Sequence, residues 1–421
     1  MQSVEVLIAG AGASGMMAAI MAARQGAKVL LLEKKDRPGK KLLATGNGKC
    51  NFTNRRQELS CYHCADEIFA DGVLQQFTAE QSIDWFQEEG VLSKERDGYV
   101  YPLSGQASTV RNALERALVR EKVRLQCGES IQDIVPRYDL TGQKVTGYQV
   151  VTDQQKYLAK KVILAVGGKA APVHGSTGDA YDILRKLGVS VVTPLPALTG
   201  LELQESCCKE WAGVRVQGKV QLLDGADCVA REQGELQFVA KGISGIPVFQ
   251  LSGQAARLLS KGRQPKLQMD VLPEYSAEWL EQELRQRLER FALCSLGDLL
   301  EGILPDKLMS AFLQEIHLKK KQGADIVKQA KIRQDLIGQI KQKVLEIDQV
   351  YPFEKAQVTT GGVDCHEIDP TTMELKHYPG LYVTGELVDV DGICGGYNLQ
   401  WAWSSGHLAG ICAARKDTVK K

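Results

Sequence analysis

The chain opens on an apolar run, Val4-Glu5-Val6-Leu7-Ile8, that breaks at Gly10-Ala11-Gly12-Ala13-Ser14-Gly15. An apolar helical pattern follows through Met17, Ala18, Ile20 and Met21, and a second apolar run, Val29-Leu30-Leu31-Leu32, ends at Glu33. Strand, glycine turn, helix, strand and acid, in that order, predict a Rossmann-like α/β unit. Gly10 permits the tight turn, Gly12 lets the backbone approach a pyrophosphate, and Gly15 lets helix and strand pack closely. The helix start at Ala13 and Ser14 offers free N–H groups and a partial positive charge to phosphates. Glu33 is placed to accept both hydroxyls of a ribose. A plain glycine turn in an ordinary βαβ unit is the alternative.

A second glycine-rich and basic stretch follows, Pro38-Gly39-Lys40-Lys41-Leu42-Leu43-Ala44-Thr45-Gly46-Asn47-Gly48-Lys49-Cys50-Asn51-Phe52-Thr53-Asn54. An NAD-binding domain has no need of such a loop directly after its ribose acid. An extended FAD does, between its ribityl chain and ring. The run GKKLLATGNGKCNFTN resembles the signature of the YhiN/BaiN-like family of bacterial flavoproteins, which includes enzymes described as aminoacetone oxidases and is distantly related to fumarate reductase flavoproteins. The resemblance implies an α/β fold: a Rossmann-like FAD-binding domain of the two-dinucleotide-binding-domain flavoprotein type, with an inserted small β domain and a helical lid. It also implies cofactor contacts from Lys34, Lys40, Lys41, Thr45, Gly46, Asn47, Gly48 and Asn51.

The 421 residues are 44% apolar and 24% charged, ordinary for a globular chain of two or three domains. Lys and Arg number 52 and Asp and Glu 51, a net charge of +1, which points away from nucleic acid and from membrane surfaces. The apolar start lacks the basic flank of a signal peptide, and no apolar run is long enough to span a membrane, so a cytoplasmic protein is expected. Eleven cysteines, an odd number in a long chain, argue against a disulfide framework. Cys61-Tyr62-His63-Cys64 is a CxxC that fits a redox pair, half of a zinc site, or ordinary thiols; no second CxxC or HxxxH follows, and no metal is expected. Adjacent Cys207 and Cys208 read as structural.

Residues 60–127 read as mostly helical, with Ile83, Trp85, Phe86 and Val91, then Val110, Ala113, Leu114, Ala117 and Leu118, at helical spacing. Between them, Tyr99 and Tyr101 face either a substrate pocket or the core, and Ser108 or Thr109 is placed to cap the following helix. Strands are expected at Val123 to Leu125, Ile131 to Val135 and Gly147 to Val151, with a hairpin turn at Asp139 to Gly142. By the resemblance, Ile131 passes the adenine. The buried run Lys161-Val162-Ile163-Leu164-Ala165-Val166-Gly167-Gly168 resembles an Ala-Thr-Gly-Gly segment that returns to the FAD, with Val166 in place of threonine. Ser176 to Asp179 reads as a helix start, explained equally by a plain cap and by the TGDG-type start of fumarate reductase relatives.

Pro194-Leu195-Pro196 marks a boundary. The expected segments are 1–194 for the first part of the FAD domain, 195–273 for a β domain, 274–350 for a helical domain, and 351–421 for the returning FAD domain. Gly242 to Ser252 resembles a family element closing the β domain. Ala240-Lys241 stand where many relatives carry Thr-His, so no catalytic histidine is assumed there. In the helical part, Leu280, Leu284, Leu288 and Phe291 form an apolar stripe, and Lys319 to Lys321 a solvated patch.

Near the C-terminus, Leu381-Tyr382-Val383 lead into Gly385, Glu386 and Asp389, a strand-glycine-acid element many FAD proteins place at the ribityl chain and pyrophosphate. Gly395-Gly396-Tyr397-Asn398-Leu399 then open an apolar helix. A helix start at the flavin N1–C2=O edge stabilises the anionic reduced flavin. Trp401 and Trp403 read as core. With only one GxGxxG present, either NAD(P)H binds transiently over the flavin or the substrate supplies the electrons. The resemblance to BaiN-like members implies reduction of an activated C=C bond in a small-molecule enone, such as a 3-oxo-Δ4 or Δ4,6 steroid or bile acid. Tyr101, Tyr397 and Lys241 are the proton-donor candidates by residue type. The alternatives are an oxidase of a small amine or amino-ketone, and a non-catalytic FAD-bound protein acting on RNA or a protein partner. The oligomeric state is left open.

Overall fold

The computed structural model describes residues 2–204, 208–291 and 293–415. The opening run forms the strand Gln2–Ala9, which lies parallel to Val29–Glu33 on one side and to Lys156–Leu164 on the other. Arg124–Cys127 extends the parallel set beyond Val29–Glu33. Val6, Leu7 and Ile8 are all fully buried. Continuous apolar runs, rather than alternating ones, are what a parallel sheet covered on both faces requires. The far edge of Lys156–Leu164 is shared. Its first half pairs antiparallel with Val145–Thr152, and its last half parallel with Leu381–Val383. The C-terminal segment thus returns to the same seven-stranded sheet.

The helix Ala13–Arg24 packs against the last helix, Tyr397–Ala414, at close range. A Cβ on Gly406 would come within 2.3 Å of the Ser14 carbonyl oxygen, and one on Gly410 within 2.4 Å of that of Ala18. Small residues one turn apart therefore set this crossing.

Local differences from the sequence reading have local causes. The strand expected from Val123 begins instead at Arg124, because the Val123 N–H closes the preceding helix, donating to Leu118 O at 2.9 Å. The region 60–127 holds the helices Glu67–Leu74, Ala79–Glu88 and Ala107–Arg120, but also a hairpin of Ser93–Arg96 and Tyr99–Pro102. Neither Ser108 nor Thr109 caps: the helix starts earlier, at Ala107, with Gln106 as its N-cap. Ser104 Oγ instead accepts the Gln106 N–H and pairs with the Thr109 hydroxyl. The turn after Ile131–Tyr138 forms as expected, with Asp139 Oδ1 accepting three backbone N–H groups.

The chain groups into two compact units, Met1–Leu195 with Gln357–Lys421, and Pro196–Ala356. The second unit carries a closed six-stranded barrel in the order Leu201–Leu203, Gly242–Ser244, Asp227–Val239, Arg215–Asp224, Lys266–Asp270 and Lys343–Val350. The helices Ala277–Arg290, Leu296–Leu300, Asp306–Glu315 and Ala330–Lys341 lie in sequence between the last two barrel strands, which pair with each other. One buried core joins barrel and helices, from Leu222, Phe238 and Ile347 to Leu280, Phe312 and Leu336. The division expected at residues 273 and 274 thus falls inside one core. Two smaller expectations also change. Only Gly242–Ser244 of the closing element is strand, and Ile246–Ser260 is a helix with Pro247 in its first turn. Leu280 and Leu284 are buried as the stripe requires, but Phe291 is exposed just past the helix end. Cys208 is buried, while its neighbour Cys207 lies outside the described residues.

Candidate cofactor site

The first unit contains a cavity of about 1210 Å³, open mouth included, lined largely by segments that the sequence singles out. Gly10, Gly12, Ala13 and Ser14 form one wall.

The three motif glycines answer different demands. Gly10, at φ +99°, would place a Cβ within 2.5 Å of the Ala165 carbonyl oxygen. A Cβ on Gly15 would strike the Gly10 carbonyl oxygen at 1.8 Å. Both are glycine because protein backbone occupies the space. Gly12 has ordinary backbone angles, φ −79° and ψ −166°, and a Cβ there would meet no protein atom within 4 Å. Neither strain nor packing within the chain demands glycine at position 12. The missing side chain leaves room on the cavity side, which is the fit expected for a diphosphate against the backbone. The helix that follows has no side-chain cap, so its first N–H groups stay available.

Glu33 sits at the end of its strand and on the cavity wall. Its carboxylate accepts N–H groups from Ala11 at 2.9 Å and Lys35 at 2.8 Å. Burial raises its proton affinity, and those two bonds oppose the rise. The acid is therefore fixed in orientation on the cavity wall.

Of the remaining expected contacts, Lys34, Lys40, Lys41, Thr45, Ile131, Val166, Gly167, Glu386, Asn398 and Leu399 line the cavity. Several of the charges are already paired. Lys41 Nζ meets Glu386 Oε2 at 2.6 Å, Lys34 Nζ meets Asp179 Oδ2 at 2.6 Å, and Lys40 pairs with Asp36. Glu386 also accepts from the backbone and hydroxyl of Thr359. The lysines thus reach the cavity as neutralised pairs rather than as a bare positive rim.

Other expected contacts do not line it. Gly46, Asn47 and Gly48 curl away as an exposed left-handed turn, with φ of +55°, +53° and +81°. Asn51 is buried beside Gly396, and its Oδ1 has no partner. Gly385 and Asp389 lie behind the wall. The Gly385 peptide is held on both sides by the last helix, its N–H by Ser405 Oγ and its carbonyl by the Trp401 indole. Asp389 is buried, and its N–H donates to Val363. Gly396, at φ +94°, is the N-cap of the last helix and would clash with Thr53 if it carried a Cβ.

The proton-donor candidates fall in different places. Tyr101 is half-buried on its hairpin, and burial raises its phenol above the usual value. Tyr397 is buried, edge-on to Tyr62 with ring centroids 5.7 Å apart, and burial followed by a contact with Cys61 raises it further. Lys241 belongs to the inserted unit, is exposed, and faces Glu202 at 3.4 Å.

Sequence reasoning missed some of the wall. Trp401, read as core, also lines the cavity, as do Ala402, Val390, Gln357 and Val358. Their helical or strand pattern alone carries no sign of a ligand. Glu129 lines the cavity beside Ser130 and Ile131 and is 1% exposed. It accepts hydroxyls from Thr152 at 2.6 Å and Tyr157 at 2.9 Å. Burial and that carboxylate push the Tyr157 phenol up to about 12. His174, at the mouth, is held below its ordinary value by burial and by Lys41, Lys35 and Lys40. No helix among the described residues is long and apolar enough to cross a membrane.

Comparison with known proteins agrees with this geometry. Residues 4–412 match the family described as HI0933-like protein Rossmann domain. A Clostridium scindens protein named 3-dehydro-bile acid delta(4,6)-reductase is 42% identical over 411 residues, 97% of this chain and 98% of its own. A protein of Escherichia coli named ribosomal RNA dihydrouridine synthase is 29% identical over 413 residues, 96% of each chain. Its name leaves the charge-based expectation of no nucleic-acid partner without support. The fold is shared with 3-ketosteroid delta1-dehydrogenase from Sterolibacterium denitrificans, at a TM-score of 0.51 and 14% identity, covering 98% of this chain and 100% of that one. A cavity with room kept free at Gly12, in a chain matched from residue 4 to 412, is that of an FAD-dependent oxidoreductase, and the chain belongs to the HI0933-like Rossmann-domain family.

Proposed function

We propose that this chain reduces a carbon–carbon double bond conjugated with a carbonyl, that its substrate is a 3-oxo-Δ4 or Δ4,6 steroid or bile acid, and that NAD(P)H supplies the electrons. The observation that carries the reading is the end-to-end 42% identity to the delta(4,6)-reductase of Clostridium scindens. Bound FAD supplies hydride chemistry that no side chain can. The protein's part is to hold and orient. Gly12 and the start of the helix Ala13–Arg24 receive the diphosphate, and Glu33 fixes the ribose. The uncapped start of Tyr397–Ala414 presents Asn398 and Leu399 to the cavity. Reduction of an enone also needs a proton at the carbon beside the carbonyl. Tyr101 and Tyr397 both keep their protons far above neutral pH, so each is charged with a proton to give. Replacing the true donor by phenylalanine lowers the reduction rate by roughly 10²–10⁴-fold, while its neighbour's replacement leaves the rate within a few-fold.

A second reading comes from the Escherichia coli relative. The C5=C6 bond of a uracil is also conjugated with a carbonyl, so the same bond chemistry serves a uridine in RNA. Anaerobic stopped flow separates the two. Reduced holoprotein mixed with a 3-oxo-Δ4,6 steroid reoxidises within seconds on the first reading. Reoxidation by unmodified ribosomal RNA and not by the steroid moves the assignment to the second. Bleaching of the oxidised protein by a small amine, with hydrogen peroxide released in air, identifies an oxidase instead. No reoxidation by any enone removes the proposal.

A further inference from the structure

We propose that Cys64 and Cys365 form a redox-active dithiol that fastens the wall behind the cofactor cavity when oxidised. Their sulfurs lie 3.2 Å apart although 301 residues separate them. The CxxC motif suggests Cys61 as the partner of Cys64, but the sulfur that Cys64 meets is that of Cys365. Cys61 ends a 3₁₀ turn, Leu59–Cys61, and interacts with Tyr397, while Cys64 lies on the strand Tyr62–Cys64.

The position of the pair gives it leverage. The strand Tyr62–Cys64 runs antiparallel to Val390–Gly392, with Cys64 opposite Val390, and Val390 lines the cavity. Cys365 follows the strand Val358–Val363, which begins at another lining residue, Val358. Val363 bridges to Val388 and accepts the Asp389 N–H at 2.9 Å, and the Cys365 thiol reaches the Asp389 carbonyl at 3.5 Å. The segment 388–392 is thus gripped from both sides by the two cysteine-bearing elements. A bond between the thiols would close that grip covalently.

The two sulfurs are suited to different roles. Cys64 is partly exposed and Cys365 is 2% exposed. The Cys365 thiol holds Cys64 below the usual cysteine range, and the Asp66 N–H points at the same sulfur at 3.4 Å. Sharing its proton with Cys64 and being buried push Cys365 the other way. Cys64 is therefore the attacking thiolate and Cys365 the resolving thiol. With a hydroperoxide as oxidant, the Cys64 thiolate attacks one peroxide oxygen, the O–O bond breaks, and a sulfenic acid forms with loss of hydroxide or alkoxide. The Cys365 sulfur then displaces that oxygen as water. Two thiols and one hydrogen peroxide give one disulfide and two waters. The sulfurs need to approach by about 1 Å to reach an S–S bond of roughly 2.05 Å.

The test uses the full-length holoprotein, treated with one equivalent of hydrogen peroxide, quenched with an alkylating agent and digested. The expected product is a Cys64–Cys365 linked peptide, with alkylatable thiols falling from eleven to nine and returning with dithiothreitol. Cys61→Ser retains the linkage, and Cys365→Ser abolishes it. In the unsubstituted protein, FAD release into excess apo-acceptor slows at least about threefold on oxidation, a shift of roughly 0.6 kcal/mol. Eleven thiols after treatment, linkage of Cys64 to Cys61, or equal FAD release from both forms would each overturn the proposal.

Discussion

The two units of this chain are both built on a sheet, yet they leave different marks in the sequence. Both units hold positions where backbone touches backbone: Gly242 and Gly245 of the barrel would put a Cβ 2.0 Å from Leu201 O and 2.3 Å from Glu235 O, and the cofactor unit has others. Gly10, Gly15, Gly406 and Gly410 stand where any Cβ would strike a carbonyl group. In the inserted unit the barrel closes by strand pairing over long separations, Leu201–Leu203 with Lys343–Val350 above all. Its core is filled by large side chains, Trp211, Phe238 and Phe312 among them. A contact that only glycine tolerates leaves a signature in the sequence. A contact that any pair of strands can make does not.

This contrast predicts how each unit breaks. Gly15→Val forces a side chain onto the Gly10 carbonyl, so the cofactor unit loses its fold and FAD is not retained. The loss exceeds about 4 kcal/mol and shows as a colourless, aggregation-prone product. Phe312→Ala empties the other core, costing about 3–5 kcal/mol. Thermal unfolding followed by tryptophan fluorescence records it, while FAD affinity stays within about twofold. If Phe312→Ala releases FAD, the two units are not separate in energy.

His407 sharpens the same comparison by pH. It is stacked on Phe77 at 4.2 Å inside the cofactor unit, and burial lowers it to about 4 from an ordinary 6.5. A depressed pKa means the unfolded chain binds the proton first. Its contribution is therefore fully present above pH 6.5 and is lost as pH falls toward 4, by about 3 kcal/mol at most. Urea unfolding at pH 7 and pH 4 shows that slope in the unsubstituted protein and a flatter one in His407→Phe. An equal slope in both would contradict the burial argument. Smaller still is Glu33→Gln, which keeps the shape but weakens the ribose contact. Its FAD dissociation constant rises roughly tenfold, or about 1.4 kcal/mol, as measured by flavin fluorescence.

The same division explains what could be read in advance. The glycine turn, Glu33 and the helix start at Gly396 were legible because each needs a residue of one type at one spacing. The Lys41–Glu386 pair spans 345 residues and the Cys64–Cys365 pair 301, and no local pattern joins them. Trp401 was hidden because an apolar helix face looks the same whether it packs on protein or lines a cavity. The barrel strand Lys343–Val350 was hidden for a related reason. It follows the helix Ala330–Lys341 almost without a break, so the period changes within two residues.

The central claim is that Gly12 is glycine for a ligand and not for the fold. Gly12→Ala tests it in one measurement, FAD titration of the flavin-stripped protein alongside its thermal unfolding. The account predicts apo-protein stability unchanged within about 0.5 kcal/mol and FAD affinity at least tenfold weaker. Full FAD affinity in the variant, or an apo-protein destabilised as Gly15→Val is, would contradict it.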